Sequence, residues 1–278
     1  MSAPETTHLE ASPRALAPTA HRTSGGVPPQ LAVVVPVHNE ADNIGPLVAE
    51  IHAALADLVT FEVIVVDDGS DDATPRQLAA LAGRYPRLRA LRHRTSAGQS
   101  TALVTAVRAA VAGLVVTLDG DGQNDPADIP ELLKRWRVES GALEDAGPQP
   151  LLMTGWRTRR RDTGLRRLSS RIANAVRGNL LGDRTPDTGC GLKLFERATF
   201  LALPYFDHMH RFLPALVIRM GGHVVSVPVR HRPRVHGRSH YGVLNRLGVG
   251  LVDLAGVMWL RRRARTPRVD SIDPVVER

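Results

Sequence analysis

The sequence predicts an α/β protein with a mostly parallel central sheet flanked by helices. Between residues 31 and 118, short continuous apolar runs alternate with longer stretches of helical periodicity. Those runs lack the apolar–polar alternation of a half-exposed strand, so both faces must be covered, as in a parallel sheet between helix layers. Three of the runs end directly in a polar cluster, which is where open parallel sheets bind ligands.

Taken in order, residues 31–35 form an apolar run closed by Pro36 and predict a strand. A helix follows, with Ile44, Leu47, Val48, Ile51, Leu55 and Leu58 on one face. Residues 61–66 predict a second strand. Thr74-Pro75 reads as a cap with a first-turn proline, opening a helix to Gly83. Residues 88–93 predict a third strand, 98–112 an alanine-rich helix and 114–118 a fourth strand. This β-α-β-α-β-α-β order implies parallel strands joined by right-handed crossovers. Residues 139–150 read as a loop. Beyond it come a strand at 151–154, a basic amphipathic helix at 166–181 and helices at 192–203 and 211–220. A strand at 224–229 carries Pro228, which places it at a sheet edge. The last element is an apolar segment at 243–260, and residues 1–30 and 264–278 read as flexible tails.

The 278 residues suit one large domain or two small ones. With 43% apolar and 23% charged residues, a wholly disordered chain is excluded. Cys190 is the only cysteine, which excludes an internal disulfide framework and a cysteine zinc cluster and points to a reducing compartment. Lys134 and Lys193 are the only lysines, so arginine supplies nearly all the positive charge. Residues 1–150 carry 12 basic and 19 acidic side chains (−7), and residues 151–278 carry 24 and 9 (+15). An anionic partner should therefore meet the second half. No stretch reaches the roughly 18–20 apolar residues that span a bilayer, and the nearest, 247–260, contains Asp253. With no secretion signal visible at the N-terminus, the expectation is a cytoplasmic protein without a transmembrane span.

The polar clusters are Pro36-Val-His-Asn-Glu40, Asp67-Asp-Gly-Ser70 and Asp119-Gly-Asp-Gly-Gln123. In the third, Asp119 and Asp121 can reach one hard cation and leave positions for water and diphosphate oxygens, as magnesium prefers. Gln123 can add a neutral oxygen. The plain alternative is a turn, since Asp-Gly favours one. The second cluster reads equally as a helix-capping turn or as acceptors for a nucleobase N–H and ribose hydroxyls. Asn39-Glu40 can simply cap the next helix. No glycine-rich dinucleotide fingerprint, P-loop or serine-nucleophile elbow occurs, so those chemistries are unsupported. The eleven histidines lack the spacing of a zinc site.

Together the clusters resemble those of family 2 glycosyltransferases of the GT-A fold, through VVVPVHNEADNI (33–44), VIVVDDGSDDAT (63–74) and VTLDGDGQNDP (116–126). GWRTRR (155–160), DTGCGLKLF (187–195), HRFLPAL (210–216) and RPRVHGRSHYGVLNR (232–246) are similar to polyprenyl- and dolichyl-phosphate sugar synthases, of the dolichol-phosphate mannose synthase kind. The resemblance implies a GT-A domain over 31–240, with a nucleotide-sugar half (31–126) and an acceptor half (151–240), then an interfacial or packing helix at 241–263. It implies that Pro36, His38 and Glu40 hold the donor nucleotide and that Asp67 and Asp68 contact base and ribose. Asp119, Gly120 and Asp121 would position metal and diphosphate, and Gln123 would join the shell of a Mg2+ or Mn2+ ion. Arg157 matches a sugar- or phosphate-contacting arginine, Arg171 one that faces the acceptor phosphate, and Asp187 an aspartate near the sugar. Arg234 and Ser239 match a phosphate clamp. His240 stands where relatives usually carry lysine, and a histidine is only partly charged near neutral pH.

The implied reaction is inverting transfer of a sugar from a nucleotide-diphosphate sugar to a polyprenyl phosphate. Such an acceptor is already an anionic nucleophile, so the protein mainly aligns two anions and screens their repulsion. The basic second half and Trp259 beside the arginines 261–263 would suit an anionic membrane surface. A second reading is a family 2 transferase acting on a sugar hydroxyl, with Asp187 as its base. A nucleic-acid-binding reading is disfavoured by 4% aromatic content, an acidic first half and the lack of a binding motif.

Overall fold

The computed structural model describes residues 27–144, 149–158, 178, 180–183, 185–234 and 243–265. Its first part runs β1 (Leu31–Val37), α1 (Ala41–Leu55), β2 (Phe61–Asp67), α2 (Thr74–Arg84), β3 (Leu88–Arg92), α3 (Gln99–Ala109) and β4 (Leu114–Thr117). The second part contains α4 (Ile129–Glu144), β5 (Leu151–Arg157), β6 (Lys193–Glu196), α5 (Arg197–Ala202), α6 (Leu213–Arg219), β7 (His223–Val229) and α7 (Val243–Arg262). The strands form one sheet in the order β3-β2-β1-β4-β6-β5-β7. β1 to β4 are parallel neighbours, as the alternation predicts. β6 lies antiparallel between β4 and β5, and β7 runs parallel to β5 at the edge, where Pro228 removes no needed ladder bond.

Every residue of β1 and β2 is buried, because helices cover both faces. Val33, Val35, Val63 and Val65 face Ile44, Leu47 and Ile51 of α1 and Leu132 of α4. Ala32, Val34, Ile64 and Val66 face Ala102, Ala106 and Val107 of α3 and Leu216 of α6. Small side chains on α3 let that helix lie close to the sheet, which brings its N-terminus up to the ends of β2 and β4.

Several elements differ from the sequence expectation. Residues 139–144 continue α4 rather than forming a loop; Trp136 and Leu143 pack on the core, and that burial outweighs the helix cost of Gly141. The helix expected at 192–203 is β6 followed by the short α5. Leu192 and Leu194 bury on one face of the sheet and Phe195 on the other, a period of two that pairing with β4 selects. Residues 209–211 form a 3-10 turn before α6, which starts at Leu213 with Pro214 in its first turn. Thr74 does not cap α2. Its backbone N–H donates to Asp72 (2.8 Å), while its buried hydroxyl accepts from the Glu40 N–H (2.9 Å). The basic helix expected at 166–181 falls almost wholly outside the described residues.

No described helix is long and apolar enough to cross a membrane. α7 packs through Val257, which is fully buried, and through Asp253, whose carboxylate lies 3.1 Å from His208 Nδ1. Its opposite face exposes Leu251, Val252 and Trp259.

Glu62 of β2 is a buried acid inside this apolar sheet. It accepts from the Val111 and Ala112 N–H groups (2.6 and 2.9 Å) and pairs with Arg89 at 3.6 Å. Glu62→Ala leaves the buried Ala112 N–H, the part-buried Val111 N–H and Arg89 without their shared partner. It should cost about 3 kcal/mol of stability by urea titration, and an unchanged midpoint would contradict this role.

Candidate active site

The carboxyl ends of β1, β2 and β4 open on one cavity of about 760 Å3. The β1 end contributes Pro36, His38 and Glu40, and the β2 end contributes Asp68. The loop after β4 contributes Asp119, Gly120, Asp121 and Gln123, and the second half of the chain contributes Arg157 and Arg234. Asp67 does not join them. One of its oxygens accepts from the Ser70 N–H (2.9 Å), the other lies 3.1 Å from Arg92 Nε, and it lines a separate cavity between α2 and β3. Asp187 is buried behind Arg157 rather than lining the cavity. Arg171, Ser239 and His240 lie outside the described residues.

The β1 and β2 loops are stitched together. Asn39, in the left-handed region at φ 56°, donates its N–H to Ser70 Oγ (2.9 Å) and accepts from the Asp71 N–H (3.0 Å). His38 Nδ1 donates to the Asp68 carbonyl (2.8 Å). The Asp68 carboxylate accepts from His93 (2.6 Å), Ser96 Oγ (2.8 Å) and the N–H groups of Ala97 and Gly98 (2.8 and 2.9 Å). Burial alone would raise this acid, but these donors outweigh it and hold the carboxyl below the usual range. Asp68 therefore fixes the loop that starts α3.

Glu40 is buried, accepts from Asn43 Nδ2 (2.6 Å) and pairs with Arg234. Burial pushes its carboxyl above the usual range, Asp121 adds to the push, and Asn43 and Arg234 oppose it. Arg157 grips Asp187 with both Nε (2.6 Å) and Nη2 (2.9 Å), a bidentate geometry that fixes the guanidinium plane.

Asp119 accepts from Gln99 Nε2 (2.9 Å) and keeps a partly open face toward the cavity. Its dense surroundings, and next the Asp121 carboxylate, push its pKa up to about 6, against the pull of Lys193 and Arg157. Gly120 permits this turn: a Cβ there would meet Val37 Cγ1 at 2.6 Å. Gly191 lies against Asp119 so closely that its Cβ would fall 2.2 Å from Oδ2.

Glu40, Asp68, Asp119 and Asp121 bring four carboxylates to the lining and Arg157 and Arg234 two guanidinium groups. Two adjacent carboxylates with a neutral amide oxygen, in a lining of excess negative charge, match a hard dication that keeps positions for phosphate oxygens. Among the described residues no group of three or more His, Cys, Asp or Glu side chains is placed to hold a metal ion by itself.

The family description "Glycosyl transferase family 2" matches residues 32–201. The chain belongs to glycosyl transferase family 2. It is 35% identical over 243 residues to dodecaprenyl-phosphate galacturonate synthase of Rhizobium johnstonii, covering 86% of this chain and 69% of that protein. It is 30% identical to undecaprenyl-phosphate 4-deoxy-4-formamido-L-arabinose transferase of Edwardsiella ictaluri, covering 77% of this chain and 63% of the relative. Among solved structures, the mannosyltransferase of Pyrobaculum calidifontis in complex with GDP-Man and Mn2+ superposes with a TM-score of 0.61 at 21% identity, covering 87% of this chain and 67% of that one. Glucosyl-3-phosphoglycerate synthase of Mycobacterium tuberculosis with Mn2+, UDP-Glc and glycerol 3-phosphate gives 0.56 at 22% identity, over 84% and 80%. At those identities the likeness shows the GT-A fold alone.

In this glycosyltransferase several site residues carry no motif of their own. Gln99, Ser96 and Gly98 enter the cavity from the start of α3. Lys193 is 4% exposed beneath Asp119, and burial pulls its ammonium below the usual range. His210 binds Ser100 Oγ (2.8 Å), and burial pushes it down to about 3, so it stays neutral. The sequence signal for the first group is only an SAGQS loop before an alanine-rich helix.

Two outcomes follow from Asp119. Its folded-state pKa of about 6 lies above the ordinary 3.8. Its protonation therefore favours the fold below about pH 4, and that contribution is lost as pH rises through about 6. Asp119→Asn should then stabilise the ligand-free protein by about 2 kcal/mol at pH 8 and hardly at all at pH 4, read by chemical denaturation. Equal effects at both pH values would refute the shifted acid. Gly191→Ala should displace the Asp119 carboxylate, and Mn2+ binding followed by calorimetry should weaken at least about tenfold.

Proposed function

We propose that this chain transfers a sugar, with inversion, from a nucleotide-diphosphate sugar to a polyprenyl phosphate. The observation that carries the reading is the convergence of the β1, β2 and β4 ends, with Arg157 and Arg234 from the acceptor half, on one cavity. Two relatives whose names specify polyprenyl-phosphate sugar products support the acceptor class. Mn2+ in the GT-A neighbours supports a divalent ion.

In this reading His38 and Asp68 line the nucleotide end, with Asp68 acting mainly through the 93–98 loop it organises. Asp67 supports the β2 turn from behind. Asp119, Asp121 and Gln123 would hold Mg2+ or Mn2+, which neutralises the charge that develops on the departing diphosphate. Arg157 and Arg234 stand ready for phosphate oxygens, each held in place by an acid, Asp187 and Glu40. Those pairings keep the arginines oriented before a ligand arrives, so little reorganisation is needed at reaction. The acceptor phosphate attacks as an anion, and no side chain has to remove its proton.

The hydroxyl-acceptor reading requires a free carboxylate base. Asp187 is committed to a bidentate ion pair, which turns its lone pairs toward Arg157. That observation favours the phosphate acceptor. The exposed apolar face of α7, followed by Arg261, Arg262 and Arg263, would sit against anionic lipid and bring the cavity to a lipid-borne substrate.

The test is incubation with polyprenyl phosphate, Mg2+ or Mn2+, and labelled nucleotide sugars, followed by butanol extraction. Label should move into the organic phase. Asp121→Ala should reduce transfer by at least about a thousandfold while leaving the thermal midpoint near that of the parent protein. Undiminished transfer by that variant would remove the metal assignment.

A further inference from the structure

A second chamber, of about 400 Å3, adjoins the first and shares Gln99, Asp119 and Gly189 with it. It lies on the α3 and α6 side of the sheet, with Leu103 and Leu213 among its apolar walls. Lys193 lines it, standing between Thr117 and Thr154 on the neighbouring strands. At 4% exposure this ammonium is nearly removed from water. Its hydrogen bond among the described residues is to the Cys190 carbonyl, which occupies one of three donors. No described carboxylate comes within ion-pairing distance of it. An ammonium buried this deeply costs free energy until an anion matches it. Arg211 is a second cation on the same chamber, and His210 adds a neutral imidazole. Asp119 is the chamber's one acid, and in the function proposed above it is committed to the dication.

We propose that this chamber receives the transferred sugar and that the sugar carries a carboxylate, paired by Lys193 and Arg211 as specificity-determining residues. The inference rests on the nucleotide-sugar reading. The donor's diphosphate would sit at Asp119, the sugar hangs from its distal phosphorus, and the chamber opens at that same residue. A phosphate from the acceptor offers similar anionic oxygens, so the experiment separates the two sources.

Donor binding by calorimetry with Mn2+, and transfer to polyprenyl phosphate, are measured on the whole chain. The donors are UDP- and GDP-linked hexuronates and their neutral hexose counterparts. A uronate should be preferred at least about 100-fold in kcat/KM, and it should bind more tightly than its neutral partner. Lys193→Met should collapse that preference to less than about tenfold by loss on the uronate, and Lys193→Arg should restore part of it. Arg211→Gln, at a less buried position, gives a second reading should Lys193→Met melt early. A parent protein that prefers neutral hexoses overturns the proposal while leaving polyprenyl-phosphate transfer standing. Absence of lipid-linked product with every donor sinks the transfer reading instead, and donor binding then still decides the carboxylate. Binding of no nucleotide sugar overturns both. If Lys193→Met raises KM only for polyprenyl phosphate, the matching anion is the acceptor's, and the carboxylate assignment is wrong.

Discussion

The arrangement at the strand ends depends on how closely the 187–192 loop passes the Asp119 carboxylate. No Cβ fits at Gly191, and the neighbouring backbone is fastened in place. Thr117 Oγ1 donates to the Gly191 carbonyl (2.5 Å), Lys193 donates to the Cys190 carbonyl, and Asn124 Nδ2 reaches Cys190 Sγ at 3.6 Å. Gly155 completes the fit, since a Cβ there would come within 2.7 Å of that sulfur. β6 makes this possible. By running antiparallel beside β4, it starts where β4 ends, so the loop before it must cross the mouth of the site.

The same close pass organises the charges. It carries Asp187 to Arg157 and so fixes a guanidinium in the wall of the cavity that Asp121 also lines. Arg234 is placed by a different device, an ion pair with Glu40 that reaches across 194 positions of sequence. In both cases an acid of the protein holds an arginine at a partly solvated wall. Each pair is largely withdrawn from water, so the cost of desolvating its charges offsets much of its attraction. Its value lies in orientation: the planar fork is fixed before a phosphate competes for it.

Much of this was legible in the sequence because it follows from local pattern. Continuous apolar runs fit strands buried on both faces, as β1, β2 and most of β4 are, whereas β3, Leu-Arg-Ala-Leu-Arg, is partly exposed and follows from its place in the alternation; the three polar clusters lie at the ends of β1, β2 and β4. Other features needed information that a local window lacks. L-K-L-F after a glycine-containing segment suits a helix or a strand equally, and only the open edge of β4 selects the strand. Asp67 and Asp68 are adjacent and chemically identical, yet strand alternation sends them to opposite sides, so Asp68 lines the cavity and Asp67 does not. Lys193 within DTGCGLKLF has no functional signature in the sequence, because a lone lysine in an apolar run carries no motif. Its burial is a property of the sheet position, three strands' worth of neighbours that no stretch of sequence displays.

The chamber behind Asp119 also shows why α7 belongs to the catalytic body rather than to its periphery. His208 occupies the left-handed region at φ 64°, and its imidazole meets Asp253 of α7. That contact anchors the 3-10 turn at Met209–Arg211, which carries His210 and Arg211 into the chamber wall. On the other side, His210 is tied to Ser100 at the start of α3. The wall is thus held between a helix fixed to the sheet and a helix with one face exposed. The positions of His210 and Arg211 consequently depend on α7 staying docked, and the Val257 side of that helix, packed into the core formed by α3, α5 and α6, keeps it there.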